Sequence, residues 1–408
     1  MRLSARLHQM AGGFPRPFWF LFGGMFVTRC GSFVLPYLAL YLTQARHLSV
    51  AKAGLIMALY GAGATAAAPI GGFLADRAGR RFTMLLALLG GGAGMIALGF
   101  VERVEILAPA IFLVAAVTEM YRPGMQAAVS DLMSGADRVR AMGLVYWVIN
   151  LGYAIGLTVG GALAGVSFRW LFVGDGLTTI AFGLLVAAGV PESRPAATPR
   201  AAGEKPPALW KEFVAPYRDR HFVAFLLLSF LVACVFMQNA STFPLDMDAR
   251  GLSKPEIGWV LALNGLLIVF VQPFLSPALA PHDRSRVIAL GALTIGAGFG
   301  MHVFAARPLA YAAAVVVWTM GEMAVLPVSN ALTADLAPPD LRGRYMGAYS
   351  MSFGAAVCVA PVAGTWLLAT LGRTGLWAAC FVAGAIACGG HLVLARSLMR
   401  QRKDRLAA

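Results

Sequence analysis

The stretch GGFLADRAGRRF, residues 71–82, sets one aspartate and three arginines between two long apolar runs. The runs cover residues 53–74 and 82–101. Apolar runs of about 20 residues match the hydrocarbon thickness of a lipid bilayer when they are helical. The stretch is therefore predicted to be a short polar loop that joins two transmembrane helices.

The rest of the chain repeats this pattern. Of its 408 residues, 13% are charged and 59% are hydrophobic, which leaves too little polar surface for a soluble protein of this size. Backbone groups in lipid must be hydrogen-bonded within the protein, so the runs predict helices rather than open strands. We predict an all-α membrane protein with twelve transmembrane helices. The predicted spans are residues 18–40, 53–74, 82–101, 106–130, 139–164, 169–189, 222–243, 256–279, 285–305, 309–334, 342–370 and 374–396.

The positions of the basic residues explain the formal net charge of +14. When the N-terminus is placed in the cytoplasm, the cytoplasmic tails and loops carry 23 Lys and Arg residues, whereas the loops on the opposite side carry eight. This asymmetry follows the positive-inside rule. It predicts a multi-pass protein of the inner (cytoplasmic) membrane with both termini cytoplasmic. The expected partner of the basic residues is membrane lipid rather than nucleic acid.

The two halves of the chain are related. Residues 191–220 are rich in proline, alanine and charge, and predict a cytoplasmic linker between an N-terminal bundle, 1–190, and a C-terminal bundle, 221–408. A shift of 204 residues aligns matching residues in several spans. Two parallel six-helix repeats are a transporter architecture with a binding site between them near the membrane midplane. The matches include Pro69 with Pro273, Pro123 with Pro327, Asp131 with Asp335, Arg138 with Arg342, and Arg169 with Arg373.

Residues 72–81, G-F-L-A-D-R-A-G-R-R, resemble the signature loop of the major facilitator superfamily. The resemblance covers the whole chain and implies a transporter of two pseudo-symmetric six-helix bundles that works by alternating access. The corresponding second-half segment, 276–286, is degenerate, with Ala280 in place of the aspartate. Sequences in spans one, four and five also resemble the twelve-span bacterial drug/proton antiporters.

By this resemblance, the signature loop is part of a cytoplasmic gate. Its glycines allow close packing and a tight turn. Asp76 can accept hydrogen bonds from helix N-terminal amides and is expected to pair with Arg342 or Arg344 while the transporter faces outward. The alternative is a plain orientation signal. The predicted gating residues are Gly72, Asp76, Arg77, Gly79, Arg80, Arg81, Arg138, Arg140, Asp335, Arg342 and Arg344.

Span five contains N-L-G-Y-A-I-G-L-T-V-G-G, residues 150–161, which resembles the antiporter motif of drug/proton exchangers. Leu157 stands where that motif has a proline, which removes the reason for a bend. Glycines at four-residue spacing form a smooth face that allows tight contact with a helix of the other half, although ordinary membrane packing is the alternative. The four predicted packing glycines are Gly152, Gly156, Gly160 and Gly161.

Ionisable residues inside spans are costly unless they are paired or hydrated. Glu119 and Glu322 occupy nearly equivalent positions in spans four and ten, and Arg122 shares a helix face with Glu119. A substrate that displaces an arginine changes the proton affinity of the neighbouring carboxylate. The predicted proton-coupling residues are Glu119, Glu322 and Asp175.

Two structural alternatives remain open for these charges. Glu119 and Arg122 can form a permanent ion pair that fixes the bundle. Asp175 can pair with Arg29 or Arg169. His302 and His391 are lone histidines in apolar spans, for which packing is the favoured role.

The predicted substrate-binding residues are aromatic, amide or arginine side chains inside the spans. They are Arg29, Arg122, Tyr37, Tyr41, Tyr146, Trp147, Asn150, Gln238, Asn239, Asn264 and Trp318. Five cysteines lie in apolar spans without a C-x-x-C pair, so we expect small core residues and no metal site.

The leading functional interpretation is a monomeric, proton-coupled exporter of amphipathic or drug-like small molecules. The rival is a transporter of one defined metabolite, such as a sugar, peptide, siderophore or lipid-like acid, with Arg29 and Arg122 clamping an anionic group. A non-transporting receptor is a further alternative. No phosphate-binding G-x-x-x-x-G-K loop or G-x-S-x-G elbow occurs. We therefore predict no enzymatic activity and no cofactor, with the proton gradient as energy source.

Overall fold

A computed structural model describes residues 13–133, 135–193, 214–338 and 341–407. In these ranges the chain forms helices and no strand. Ten of the described helices are long and apolar enough to cross a membrane. One of these, Arg342–Arg400, contains Gly372 at φ 66°, where two helices meet. With the separate helix Arg284–Met301, the predicted all-α membrane fold with twelve long helices is confirmed.

The twelve long helices are numbered α1–α12 in chain order. Their bounds are Arg16–Ala45 for α1, Val50–Arg77 for α2, Arg80–Leu98 for α3, Val104–Leu132 for α4, Gly135–Val166 for α5, Phe168–Gly189 for α6, Arg220–Ala240 for α7, Lys254–Leu279 for α8, Arg284–Met301 for α9, Pro308–Leu336 for α10, 342–371 for α11 and 373–407 for α12. A short helix, Thr242–Ala249, lies between α7 and α8.

The internal repeat is visible in the positions where helices begin. Four helices of the first half and their counterparts in the second half begin at positions separated by 204 residues. These pairs of first residues are Arg16 and Arg220, Val50 and Lys254, Arg80 and Arg284, and Val104 and Pro308. The shift inferred from the sequence therefore relates equivalent structural positions.

The chain divides into two compact units. Unit 1 comprises the described residues of Met1–His47, Leu59–Ala196 and Ser253–Leu266, and unit 2 those of Leu48–Ala58, Ala197–Leu252 and Leu267–Ala408. Most of the linker predicted at 191–220 lies outside the described residues. The domain boundaries at 190 and 221 stay a prediction.

Close helix packing inside each unit depends on paired glycines. In unit 1, a Cβ atom on Gly92 of α3 would lie 2.8 Å from the carbonyl oxygen of Gly176 in α6. In unit 2, a Cβ atom on Gly296 of α9 would lie 2.8 Å from the Cα atom of Gly384 in α12. Helix association in lipid depends on van der Waals contact, so glycine at these crossings brings the helix backbones together.

Two equivalent prolines have different effects on their helices. Proline lacks an N–H group and its ring crowds the carbonyl group four residues earlier. In α4, Pro123 leaves the backbone carbonyl of Glu119 without its helical N–H donor, and the helix is interrupted at Met120. In α10, Pro327 acts on Met323, whose carbonyl oxygen instead accepts a hydrogen bond from Gln272 Nε2 at 3.2 Å. Because the freed carbonyl has a partner there, α10 continues without a break.

Candidate functional site

The loop between α2 and α3 is hydrogen-bonded to Glu192, which follows the end of α6. Gly79 has φ 110°, a conformation that suits glycine. The next two backbone N–H groups, of Arg80 and Arg81, donate to the carboxylate of Glu192 at 2.9 and 3.1 Å. A carboxylate at this position also stabilises the N-terminus of α3. The sequence interpretation missed Glu192 because it placed this residue in the linker.

An ion pair recurs at equivalent positions of the two units. Arg80 Nε lies 3.2 Å from Asp131 Oδ2 in unit 1. Arg284 pairs with Asp335 in unit 2, and both members are shifted by 204 residues. Asp335 was predicted as a gating residue, whereas the pairs themselves were missed. The repeat contained the signal, because it aligns both arginines and both aspartates.

Two of the remaining gating predictions concern contacts at helix ends. The ion pair of Asp76 that the structure describes is with Arg80 at the start of α3, 3.7 Å away, and the expected pairing with Arg342 or Arg344 stays a prediction. Arg138 donates to the carbonyl oxygens of Ser130 and Met133, at 2.9 and 3.1 Å, and so caps the end of α4.

Three further gating predictions concern local packing. Arg140 pairs with Asp137 at 2.8 Å, and the Arg77 guanidinium lies 4.8 Å from the centre of the Phe73 ring. The close packing predicted for Gly72 is wrong, since a Cβ atom there would meet nothing within 4 Å. The close approach belongs to Gly71, whose added Cβ would lie 2.6 Å from the Met120 carbonyl oxygen.

Helix α5 is continuous through Leu157, as expected for a helix without the motif's proline. The Leu157 carbonyl oxygen accepts a hydrogen bond from the Tyr37 hydroxyl at 2.7 Å. Most of the glycine face packs on α1 of its own half, which corrects the predicted contact with the other half. The added Cβ atoms of Gly152 and Gly156 would meet Arg29 and Cys30, and that of Gly160 would meet the Tyr37 ring.

Gly161 differs from the other three glycines. A Cβ atom at Gly161 would lie 2.5 Å from the Lys254 carbonyl oxygen and 3.1 Å from the Gly258 Cα atom. Both residues belong to the Ser253–Leu266 segment of unit 1. At this one position, the glycine face contacts a helix from the second half of the sequence.

Charged groups of α1 and α4 meet where α4 is interrupted. Arg122 pairs with Glu119, with Nη2 donating to Oε1 at 3.2 Å. The Glu119 side chain is 13% exposed and the Arg122 side chain 50% exposed. Arg29 Nη2 donates to the Tyr121 hydroxyl at 2.8 Å. The cluster therefore joins a nearly buried carboxylate to an accessible guanidinium.

Helix α1 is interrupted between its segments Arg16–Cys30 and Val34–Leu40, and Asp175 of α6 contacts the start of the second segment. Its Oδ2 atom accepts a hydrogen bond from the backbone N–H of Val34 at 3.2 Å, at the start of the helical segment Val34–Leu40. This contact satisfies a backbone donor that a helix start leaves without an intrahelical partner. Asp175 is also within electrostatic reach of Arg29 and Glu119. The structure thus gives this residue a capping contact.

Four predicted substrate-binding residues are enclosed by protein. Tyr37, Tyr41, Gln238 and Trp318 are each at most 4% exposed. Tyr41 accepts a hydrogen bond from Arg46, Gln238 donates to the Ala360 carbonyl, and the Trp318 ring stacks on Phe299. All four side chains pack against protein in this structure, and their role in substrate binding stays a prediction. Their residue type gave no indication of which helix face they occupy.

The other predicted binding residues are more accessible. Tyr146 and Trp147 are exposed, 45% and 40% respectively. Asn150 and Asn239 are half-buried, and each donates to a backbone carbonyl of its own helical turn. Asn264 is also half-buried. Together with Arg29 and Arg122, these side chains form the more accessible part of the predicted binding set.

Comparison with known proteins identifies the family. A family model described as "Major Facilitator Superfamily" matches residues 21–245 and 226–407. The chain belongs to the major facilitator superfamily. It is therefore a multi-pass membrane transporter.

Two curated relatives illustrate the range of functions among similar proteins. The chain is 24% identical to a "Na(+), Li(+), K(+)/H(+) antiporter" of Planococcus maritimus, over 84% of this chain and 87% of that one. It is 26% identical to "Tetracycline resistance protein, class C" of Escherichia coli, over 72% and 74% of the two chains. Among solved structures, a peptide transporter in complex with sulfate has a TM-score of 0.80 at 20% identity, covering 96% of each chain. That likeness concerns the superfamily fold.

This superfamily member also contains a buried charge cluster that the sequence interpretation missed. In unit 2, Arg373 Nε bonds to Asp246 Oδ1 at 2.6 Å, and the Tyr311 hydroxyl donates to Asp246 Oδ2 at 2.7 Å. Arg373 also donates to backbone carbonyls at the end of α9, including Val303. The equivalent arginine of unit 1, Arg169, instead lies over the Phe100 ring. The cluster therefore distinguishes unit 2 from unit 1.

Proposed function

We propose that this transporter is a proton-coupled exporter of amphipathic or drug-like small molecules that works by alternating access. The observation that carries the proposal is the Glu119–Arg122 pair at the break in α4. The Glu119 side chain is 13% exposed and the Arg122 side chain is 50% exposed. A substrate can therefore bind Arg122 in place of Glu119 without separating packed helices.

The coupling step follows from that difference in exposure. A substrate that binds the accessible face of Arg122 competes with Glu119 for the guanidinium. Loss of the neighbouring positive charge favours the protonated carboxyl group, so substrate and proton binding are linked. Glu119 is the first candidate for the proton carrier, with Glu322 and Asp175 as the other two. The names of the two curated relatives, a proton antiporter and a drug-resistance protein, support exchange and export.

One observation favours the rival function. Arg29 donates to the neutral hydroxyl of Tyr121, and half of the Arg122 side chain is accessible. Two guanidinium groups in this arrangement can bind a carboxylate or phosphate group. The rival is therefore a transporter of one defined anionic metabolite.

Transport by the purified protein in liposomes with an imposed pH gradient separates these functions. The panel contains lipophilic cations, tetracycline, small carboxylates, a phosphate ester, dipeptides, and Na⁺ and K⁺. Gradient-dependent movement of several structurally different amphipathic compounds is expected. Movement of one anion alone would establish the rival. Equal movement with and without the gradient would disprove proton coupling.

The proposed orientation places both termini in the cytoplasm of a bacterial inner membrane. The asymmetry of 23 against eight basic residues supports it. Reporter fusions at Pro206 and at the C-terminus are expected to give cytoplasmic signals. A periplasmic signal from either fusion would reverse the topology.

A further inference from the structure

Unit 2 contains a small, mainly apolar pocket with several polar lining residues among α7, α9, α10, α11 and α12. The volume open to the centre of a water molecule is about 20 Å³, which is enough for one water. The polar side chains that line it are Ser229, Glu322, Ser329, Tyr349, Ser352 and His391.

Four buried polar atoms of residues that line this pocket have no hydrogen-bond partner among the described residues. They are Ser229 Oγ, Ser329 Oγ and both ring nitrogens of His391, Nδ1 and Nε2. His391 is 0% exposed, so bulk solvent does not supply the partners. Buried polar groups are normally satisfied by protein or by ordered water. One imidazole nitrogen carries a hydrogen and the other a lone pair. Water can bond to both kinds of atom, whereas a bare cation can bond only to the lone pair.

The pocket also contains a buried carboxyl group. Glu322 is 6% exposed. Among the described residues that line the pocket there is no Lys or Arg. The positions 204 residues after Arg29, Tyr121 and Arg122 are Ala233, Val325 and Leu326, and all three line the pocket. The pocket therefore lies where unit 1 has long polar side chains.

A carboxyl group inside a membrane span is a candidate proton carrier. The titratable side chains that face Glu322 across the pocket are Tyr349 from α11 and His391 from α12. Of these, only an imidazole changes charge between pH 5 and 8 without strong perturbation.

We propose that this pocket is a second proton site, in which one water molecule joins the Glu322 carboxyl group to the His391 imidazole. The proton resides on either group and passes between them through the water, with no other change of bonding. The proton site deepens the proposed function. It rests on that function only for the role of the proton in transport.

A second buried histidine provides a matched control. His302 is also 0% exposed, and within the described part of the chain both of its ring nitrogens also have no hydrogen-bond partner. However, its ring stacks on Phe243 at 4.3 Å and lies 5.0 Å from Trp377, and it is not among the residues that line the pocket. His302 thus has the burial of His391 without the carboxyl group or the cavity.

Infrared spectroscopy of the full chain in lipid nanodiscs tests the proposal. The carboxyl C=O band is followed against pH in the Glu119→Gln background, with Glu322→Gln to assign the band. His391→Phe is expected to change the proton affinity of the Glu322 carboxyl group on the order of tenfold, whereas His302→Phe leaves it unchanged. Exchange into D₂O is expected to shift the assigned band, because the carboxyl proton exchanges through the bound water.

An unchanged titration in His391→Phe, or the same change in both histidine variants, would overturn the proposal. Nitrogen-15 NMR of the His391 ring in the otherwise unchanged chain provides a measurement that needs no folded variant at position 391. The proposal requires its nitrogen shifts to change with Glu322→Gln, and unchanged shifts would reject it. Neither measurement uses substrate or a gradient. A failure of drug export in liposomes would therefore leave these results intact.

Discussion

The α4 break in unit 1 and the equivalent part of α10 in unit 2 have a proline at the same repeat position and different chemistry around it. In unit 1, Glu119 is paired with a half-exposed arginine. In unit 2, Glu322 faces an enclosed pocket with histidine and hydroxyl groups. Both units keep the Arg–Asp ion pair at the helix ends, Arg80–Asp131 and Arg284–Asp335. The repeat therefore preserves the contacts that hold helix ends, while the intramembrane charges of the two units differ.

The largest loss of stability is expected from the Asp246 cluster of unit 2. Asp246→Asn leaves Arg373, whose side chain is 15% exposed, without its buried carboxylate partner, a defect that costs up to roughly 3–5 kcal/mol in fully buried pairs. The melting temperature of the purified protein measures this cost. Arg169→Ala in unit 1 is the matched control and is expected to cost much less, because Arg169 contacts an aromatic ring. An equal fall in melting temperature in the two variants would refute the predicted difference between the units.

Glu119→Gln is expected to have the largest effect on transport. It mimics the protonated carboxyl group at nearly constant volume, so gradient-driven transport should fall to background while substrate binding remains. Because Arg122 is 50% exposed, the stability cost of losing its partner should be only about 1 kcal/mol. Transport and melting temperature are measured on one preparation.

The double variant Glu119→Gln with Arg122→Gln separates coupling from structure at this site. It is expected to recover the melting temperature without recovering gradient-driven transport. Normal gradient-driven transport by a stable Glu119→Gln protein would exclude Glu119 as the carrier.

Smaller stability losses are expected at the two helix-end ion pairs, and the more buried pair should lose more. Asp131 is 26% exposed and Arg80 12%, whereas Asp335 is 56% exposed and Arg284 43%. Asp131→Asn is expected to cost about 1–2 kcal/mol and Asp335→Asn about 1 kcal/mol or less. Melting temperatures at low and high salt measure both, and the Asp335 pair should be more sensitive to salt. The reverse order of costs would contradict the difference in burial.

The smallest stability change is expected for Asp76→Asn. The Asp76 side chain is 77% exposed and 3.7 Å from Arg80, so the cost should be below about 1 kcal/mol. If the loop gates the transporter, transport should nevertheless decrease. Glu105→Gln, which removes an exposed carboxylate from the first turn of α4, is the charge-matched control. Wild-type transport by Asp76→Asn would refute the gating role.

Hydropathy and the 204-residue repeat were sufficient to predict the twelve helices, because bilayer thickness constrains their length and composition. The repeat also aligned Arg80 with Arg284 and Asp131 with Asp335, so both ion pairs could have been inferred. Glu192 and the Asp246 cluster could not, since their partners lie far away in the sequence and depend on how helix ends pack. Likewise, residue type alone did not separate the buried Tyr37 and Trp318 from the exposed Tyr146 and Trp147.

The contact of Glu192 with the start of α3 has a consequence for biosynthesis. The backbone N–H groups of Arg80 and Arg81 donate to a carboxylate that the ribosome adds 112 and 111 residues later, respectively. Until then the first turn of α3 must use water or lipid headgroups as its acceptors. The contact can form as soon as residue 192 has left the ribosome, before most of unit 2 has been synthesised. Glu192 therefore marks the earliest point in translation at which this helix end can acquire its native cap.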